Sequence, residues 1–172
     1  MARILALSIG EAPASAETSL YKVEKAMGFL PNVYKVFANS PAALRAFLQA
    51  QEQLSEGELT EAEREIVALA VSQVSDSEYC LAAHTVFANQ AGLSDDAIRA
   101  SRKGEGSGIA SFASKLALQR GRLSDADLVE AREAGLSDSR MVETVAVVAH
   151  IIFTNYLNNV AHTDVDFAPV EG

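Results

Sequence analysis

The chain has 172 residues, 49% of them apolar and 22% charged, with a net charge of −9. That profile belongs to one folded domain with a substantial core, and the deficit of Lys and Arg argues against a nucleic-acid backbone as the main partner. No apolar run approaches the ~20 residues of a spanning helix, and one cysteine, Cys80, allows no internal disulfide, so the default compartment is the cytoplasm.

Residues 1–17 read as an N-terminal arm. Within it Arg3, the apolar Ile4–Ile9 and Ala14-Ser15-Ala16 faintly imitate a secretory signal. Ser8 interrupts the apolar part, which falls short of the ~7–15 residues an export segment needs. Ile4 to Ile9 is also the one stretch that reads as extended. Farther on, Gly28 ends a helix and Pro31 starts a short one. Ser40-Pro41 is a cap followed by proline at the first helical position, and Leu44, Phe47 and Leu48 follow at helical spacing. Thr60 and Glu63 form a capping box ahead of Ile66, Val67, Leu69 and Ala70. Ser75-Asp76-Ser77 break that helix, and another runs to Ala91, stopped by Gly92.

Three places then repeat one device: Gly92-Leu93-Ser94-Asp95, Gly121-Arg122-Leu123-Ser124-Asp125 and Gly135-Leu136-Ser137-Asp138. Glycine closes one helix in the left-handed conformation, serine caps the next, and aspartate suits its positive end. The leucine is placed to staple onto the fourth helical residue, namely Ile98, Leu128 and Met141. Gly104-Glu-Gly-Ser-Gly108 is a flexible loop with no preceding strand and no Lys-Ser/Thr ending, so it is not a phosphate cradle. The last helix spans about Asp138 to Ala161. It is apolar almost all round between Val142 and Phe153, which suits the centre of a bundle or a subunit contact. The expected fold is an all-α, single-domain helical bundle covering residues 1–172.

The chemistry gathers in Ser77-Glu-Tyr79-Cys80-Leu-Ala-Ala-His84. Cys80 falls in the first turn of its helix, where unpaired amides and the macrodipole favour a thiolate and lower the thiol pKa. His84 stands one turn above it on the same face, able to take the thiol proton or steady the thiolate. Ser77, three residues back, shares that face. Glu65 belongs to the preceding helix, and an antiparallel pair would bring its carboxylate to His84, fixing the tautomer. Two readings fit these residues. Cys80 is either an activated nucleophile or a small buried hydrophobe beside a hydrogen-bonded core histidine. One Cys and one His supply only two metal ligands, so no metal or other cofactor is expected. His150 and His162 are too far apart for one helical turn and read as structural or surface residues. Phe87, Phe112, Phe153 and Tyr156 read as core, with one or two free to line a pocket beside Cys80.

At these residues the sequence resembles the alkylhydroperoxidase D and carboxymuconolactone decarboxylase family. The similar block runs from Glu65 to Thr85 and matches a pattern of Glu, Cys-x-x-Cys and a following His at Glu65, Cys80 and His84. It departs at Ser77, which stands where the first cysteine belongs. Tyr79 matches an aromatic of the peroxidase-related branch, and Phe29-Leu-Pro31-Asn32 and Phe153-Thr-Asn155-Tyr-Leu-Asn158 are similar to further segments of it. The resemblance implies an alkylhydroperoxidase D-like helical fold, a homo-oligomer, and a peroxidase in which Cys80 attacks a peroxide through a His84–Glu65 relay. Ser77 then holds the position of the resolving cysteine without its sulfur, so recycling needs an external thiol reductant. Serine there is either natural or substituted. Other readings are a peroxide-sensing or non-catalytic helical oligomer, and an acid–base lactone decarboxylase, which does not need the cysteine pair.

Overall fold

A computed structural model describes residues 2–168 of the chain. Its regular elements begin with a 3-10 turn, Ile9–Glu11, followed by α1 (Ala14–Met27), α2 (Asn32–Phe37), α3 (Pro41–Ser55), α4 (Glu61–Val74), α5 (Glu78–Gln90), α6 (Asp95–Arg102), α7 (Gly108–Gln119), α8 (Asp125–Glu133) and α9 (Asp138–Ala161). Among the described residues there is no strand, and no helix is long and apolar enough to cross a membrane. The Ile4–Ile9 stretch forms no strand; its backbone is pinned by Leu7 N–H donating to Lys35 O and by Asn39 Nδ2 donating to Leu5 O. Helix α1 begins at Ala14, inside the stretch read as an arm.

The boundaries follow local chemistry. Ser94, Ser124 and Ser137 each accept an amide of the first turn they open, and Gly92, Gly121 and Gly135 take φ of +87°, +76° and +89°. All three staple partners of the preceding leucines are at least partly buried, with Ile98 and Met141 fully so. Thr60 and Glu63 close a reciprocal capping box. Each such cap stabilises its helix by about 1 kcal/mol, so the ends are fixed before any tertiary contact is counted.

Packing assigns the centre differently from periodicity. Helix α4 is the enclosed one: Val67 through Ser72 are all buried, and it packs against α5, α6, α7 and α9. The longer α9 buries one face through Met141, Val147, Val148 and Ile151 but leaves Val142, Val145, Tyr156 and Val160 exposed. Tyr156 is therefore a surface residue rather than core, and Phe153 is half-exposed, whereas Phe112 is buried as expected. One apolar cluster joins α4, α7 and α9, and a second joins α1, α2, α3 and α5. The seam between them carries the site.

Candidate functional site

A cavity of about 320 Å³ opens at this seam, lined by Cys80, His84 and Ala83 of α5, Glu65 and Ala68 of α4, Phe47 of α3, and His150, Ile151, Thr154 and Asn158 of α9. The positions come from helix geometry. Cys80 is the third residue of α5 and His84 stands one turn on, while residues 150, 154 and 158 step along one face of α9 at four-residue intervals. The two columns run in opposite directions. Asn158 sits against the sulfur, and His150 is near enough to His84 for the two charges to repel.

Glu65 reaches His84 as the spacing suggests, with Oε2 2.8 Å from Nδ1. Nδ1–H donates to the carboxylate, which leaves Nε2 as the ring's acceptor. No hydrogen bond joins His84 to Cys80 among the described residues. The sulfur instead accepts from Asn158 Nδ2 at 3.3 Å, and the Ser77 and Thr154 hydroxyls lie close enough to favour its thiolate.

The ionisation of Cys80 runs against the expectation from its helical position. The residue is 3% exposed, and burial pushes its thiol up, outweighing the Ser77, Asn158 and Thr154 groups that pull it down. Desolvation of a thiolate costs more than a first-turn dipole returns when the low-dielectric environment is nearly complete. Burial thus favours the thiol over the thiolate, so a base placed to take its proton assists ionisation.

Ser77 is wholly buried at the N-cap of α5, yet its hydroxyl makes no well-formed hydrogen bond. Its hydroxyl lies near the Cys80 sulfur, close enough to favour the thiolate, without a well-formed hydrogen bond to it. Tyr79 lines the cavity, but its hydroxyl is tied down. Its hydroxyl accepts from Val33 N–H at 3.2 Å and donates to Asp166 Oδ1 at 2.8 Å, and burial raises its pKa. Asp166 also accepts from Asn32 N–H, so Tyr79 and the Pro31-Asn32 turn together hold the C-terminal segment. That segment lays Phe167 edge-on against Tyr79, Phe87 and Phe29, closing an aromatic wall of the cavity.

Sequence spacing missed Asn158, Thr154 and His150. All three lie on the last helix, more than sixty positions from Cys80, and only packing brings them to it. His150, read from the sequence as structural or surface, lines the cavity and stacks on Phe47 with ring centroids 4.1 Å apart and planes 10° apart. His162 closes the end of α9 in the left-handed conformation and lies away from this cavity. No group of His, Cys, Asp and Glu placed to hold a metal ion occurs among the described residues.

Residues 41–105 match the carboxymuconolactone decarboxylase family model, a span that holds Glu65, Ser77, Cys80 and His84. The match covers that segment of the chain and not the rest. The segment sits within an alkylhydroperoxidase D-like fold that extends over nearly the whole chain. An uncharacterized peroxidase-related protein from Ralstonia eutropha JMP134, with an alkylhydroperoxidase core, superposes with a TM-score of 0.84 at 22% identity, covering 96% of this chain and 92% of its own. A peroxidase-related protein from Silicibacter sp. TM1040 gives 0.80 at 22% identity over 93% and 90% of the two chains. The debrominase Bmp8 gives 0.78 at 17% identity over 95% and 92%, and a variant of it with cysteine replaced by alanine is solved in complex with 2,3,4-tribromopyrrole. No curated protein matches the chain significantly in sequence.

Proposed function

We propose that the chain is a thiol-dependent peroxidase that reduces organic or hydrogen peroxide through Cys80. The observation that carries this reading is a buried cysteine sharing one cavity with an imidazole already oriented by a carboxylate. A peroxide bound between them gives the thiol proton a path to His84 Nε2. As the sulfur attacks one peroxide oxygen, an S–O bond forms and the O–O bond breaks. The electron pair leaves on the other oxygen, which takes the proton from His84. The balance is Cys–SH + ROOH → Cys–SOH + ROH. Glu65 steadies the transient imidazolium. Ser77 has no sulfur with which to capture the sulfenic acid, so an external thiol reduces it: the first thiol forms a mixed disulfide and releases water, and a second releases Cys80. Stopped-flow oxidation of wild type beside Cys80→Ala tests the reading. Rapid oxidation that Cys80→Ala abolishes supports it, and a wild-type thiol no faster than free cysteine rejects it.

The aromatic wall of the cavity and the shared fold with the debrominase favour a second reading, a thiol-dependent dehalogenase of small aromatic rings. Bromide release from 2,3,4-tribromopyrrole, lost in Cys80→Ala, distinguishes it from peroxide reduction.

A further inference from the structure

Cleaving an O–O bond leaves negative charge on the departing oxygen, and the relay described so far offers that oxygen one donor, the Nε2–H of His84 once it has taken the thiol proton. His150 is a polar side chain on the cavity wall that this relay does not use. It projects from α9 one turn from Thr154 and two turns from Asn158, the two residues that reach the sulfur. It lines the same cavity as His84, near enough for the two charges to repel. One ring face is covered by the parallel Phe47 ring, which fixes the imidazole plane and leaves its edge as the part able to bond. Neither ring nitrogen makes a hydrogen bond among the described residues. A half-buried imidazole held in plane by stacking, with its polar edge unspent, is preorganised for a guest.

Resting on the peroxidase reading, we propose that His150 is a further catalytic residue, donating a ring N–H to the departing oxygen of the peroxide while His84 handles the proton. The sulfur attacks one oxygen, and the other departs within the cavity that both imidazoles line. His150 keeps its proton throughout, so the overall balance is unchanged. The two imidazoles differ by their surroundings. Glu65 backs His84 and suits it to carry a positive charge. His150 has no such carboxylate partner among the described residues, and burial, reinforced by repulsion from His84, pushes its pKa down to about 4. It is thus a neutral donor at physiological pH and does not compete for the thiol proton.

The test compares wild type, His150→Leu and His150→Gln in single-turnover oxidation of Cys80 by cumene hydroperoxide, with alkylation of the same thiol by iodoacetamide as the control. Alkylation needs the thiolate but no departing peroxide oxygen. The expected result is roughly a hundredfold loss of the oxidation rate in His150→Leu, alkylation within about twofold of wild type, and recovery of about tenfold or more in His150→Gln, which restores an N–H donor. Oxidation of His150→Leu at the wild-type rate overturns the inference and leaves the peroxidase reading standing. A parallel loss of oxidation and alkylation also overturns it, because the residue would then be acting through the thiol. A wild-type thiol that is unreactive toward peroxide overturns the peroxidase reading and this inference with it.

Discussion

Glu65 and His84 meet across the α4–α5 pair, with the carboxylate oxygen 2.8 Å from Nδ1 of the ring, and both side chains are largely withdrawn from solvent. This pairing sets the tautomer, because a ring that donates from Nδ1 must accept at Nε2. Glu65→Gln keeps the shape and removes the charge that stabilises an imidazolium. The expected outcome is a fall of about 10- to 100-fold in the rate of Cys80 oxidation with the fold retained, measured by stopped-flow against circular dichroism of the same sample. An unchanged rate would detach the carboxylate from the chemistry.

Position 77 is buried, close to the sulfur, and carries a hydroxyl without a well-formed partner. A thiol there lies at the three-residue spacing of a Cys-x-x-Cys pair at a helix start. Ser77→Cys is expected to form a disulfide with Cys80 after one equivalent of peroxide and to sustain turnover with a dithiol reductant. Intact mass and thiol titration read the bond; peroxide consumption reads the turnover. A variant that keeps both thiols free after oxidation contradicts the resolving position assigned to residue 77.

His150 also links the site to stability. Its folded pKa of about 4 lies below the ordinary 6.5, so between those values the unfolded chain binds a proton that the folded chain refuses. Stability is therefore full above pH 6.5 and declines as the pH falls toward 4, by about 3 kcal/mol at most from this residue. Glu61, Arg64, Glu65, His84 and Cys80 line the same cavity, so their charges must be matched between samples. His150→Phe is expected to flatten that decline in urea titrations at pH 7, 5.5 and 4.5. An identical slope in both proteins would mean that the ring is protonated at no cost.

Gly108 opens α7 directly against the end of α8. A Cβ there would collide with the Ala134 Cβ and crowd Leu136, neither a group that can swing away cheaply. Alanine ordinarily favours a helix, yet Gly108→Ala is expected to destabilise the protein by about 1–3 kcal/mol. A shift of the urea midpoint to lower concentration measures it; an increase would show that α8 moves aside freely.

The helices were legible because their signals are local. A serine that caps three residues ahead and a glycine that turns left-handed act through bonds between near neighbours, and Thr60–Glu63, Ser94, Ser124 and Ser137 behave as they would in almost any context. The i, i+4 pairing of Cys80 with His84 is equally local, since helical pitch alone dictates it. Glu65 needed one assumption beyond that, an antiparallel neighbour, which the short Ser75–Ser77 turn supplies.

The rest depended on what packs against what. Periodicity marked α9 as a candidate centre, but enclosure depends on neighbours, and α4 has helices on more sides. Spacing placed His150 outside the site, because no rule of local geometry connects it to a cysteine seventy positions away. The first-turn position of Cys80 argued for an easily ionised thiol, and burial reversed that direction. Sequence by itself determined where the helices start and stop and which side chains share a helical face, since hydrogen bonds and steric limits between neighbouring residues settle both. Tertiary structure decided which faces meet, what lies within reach of the sulfur and how much water surrounds it, because desolvation and contact depend on residues distant along the chain.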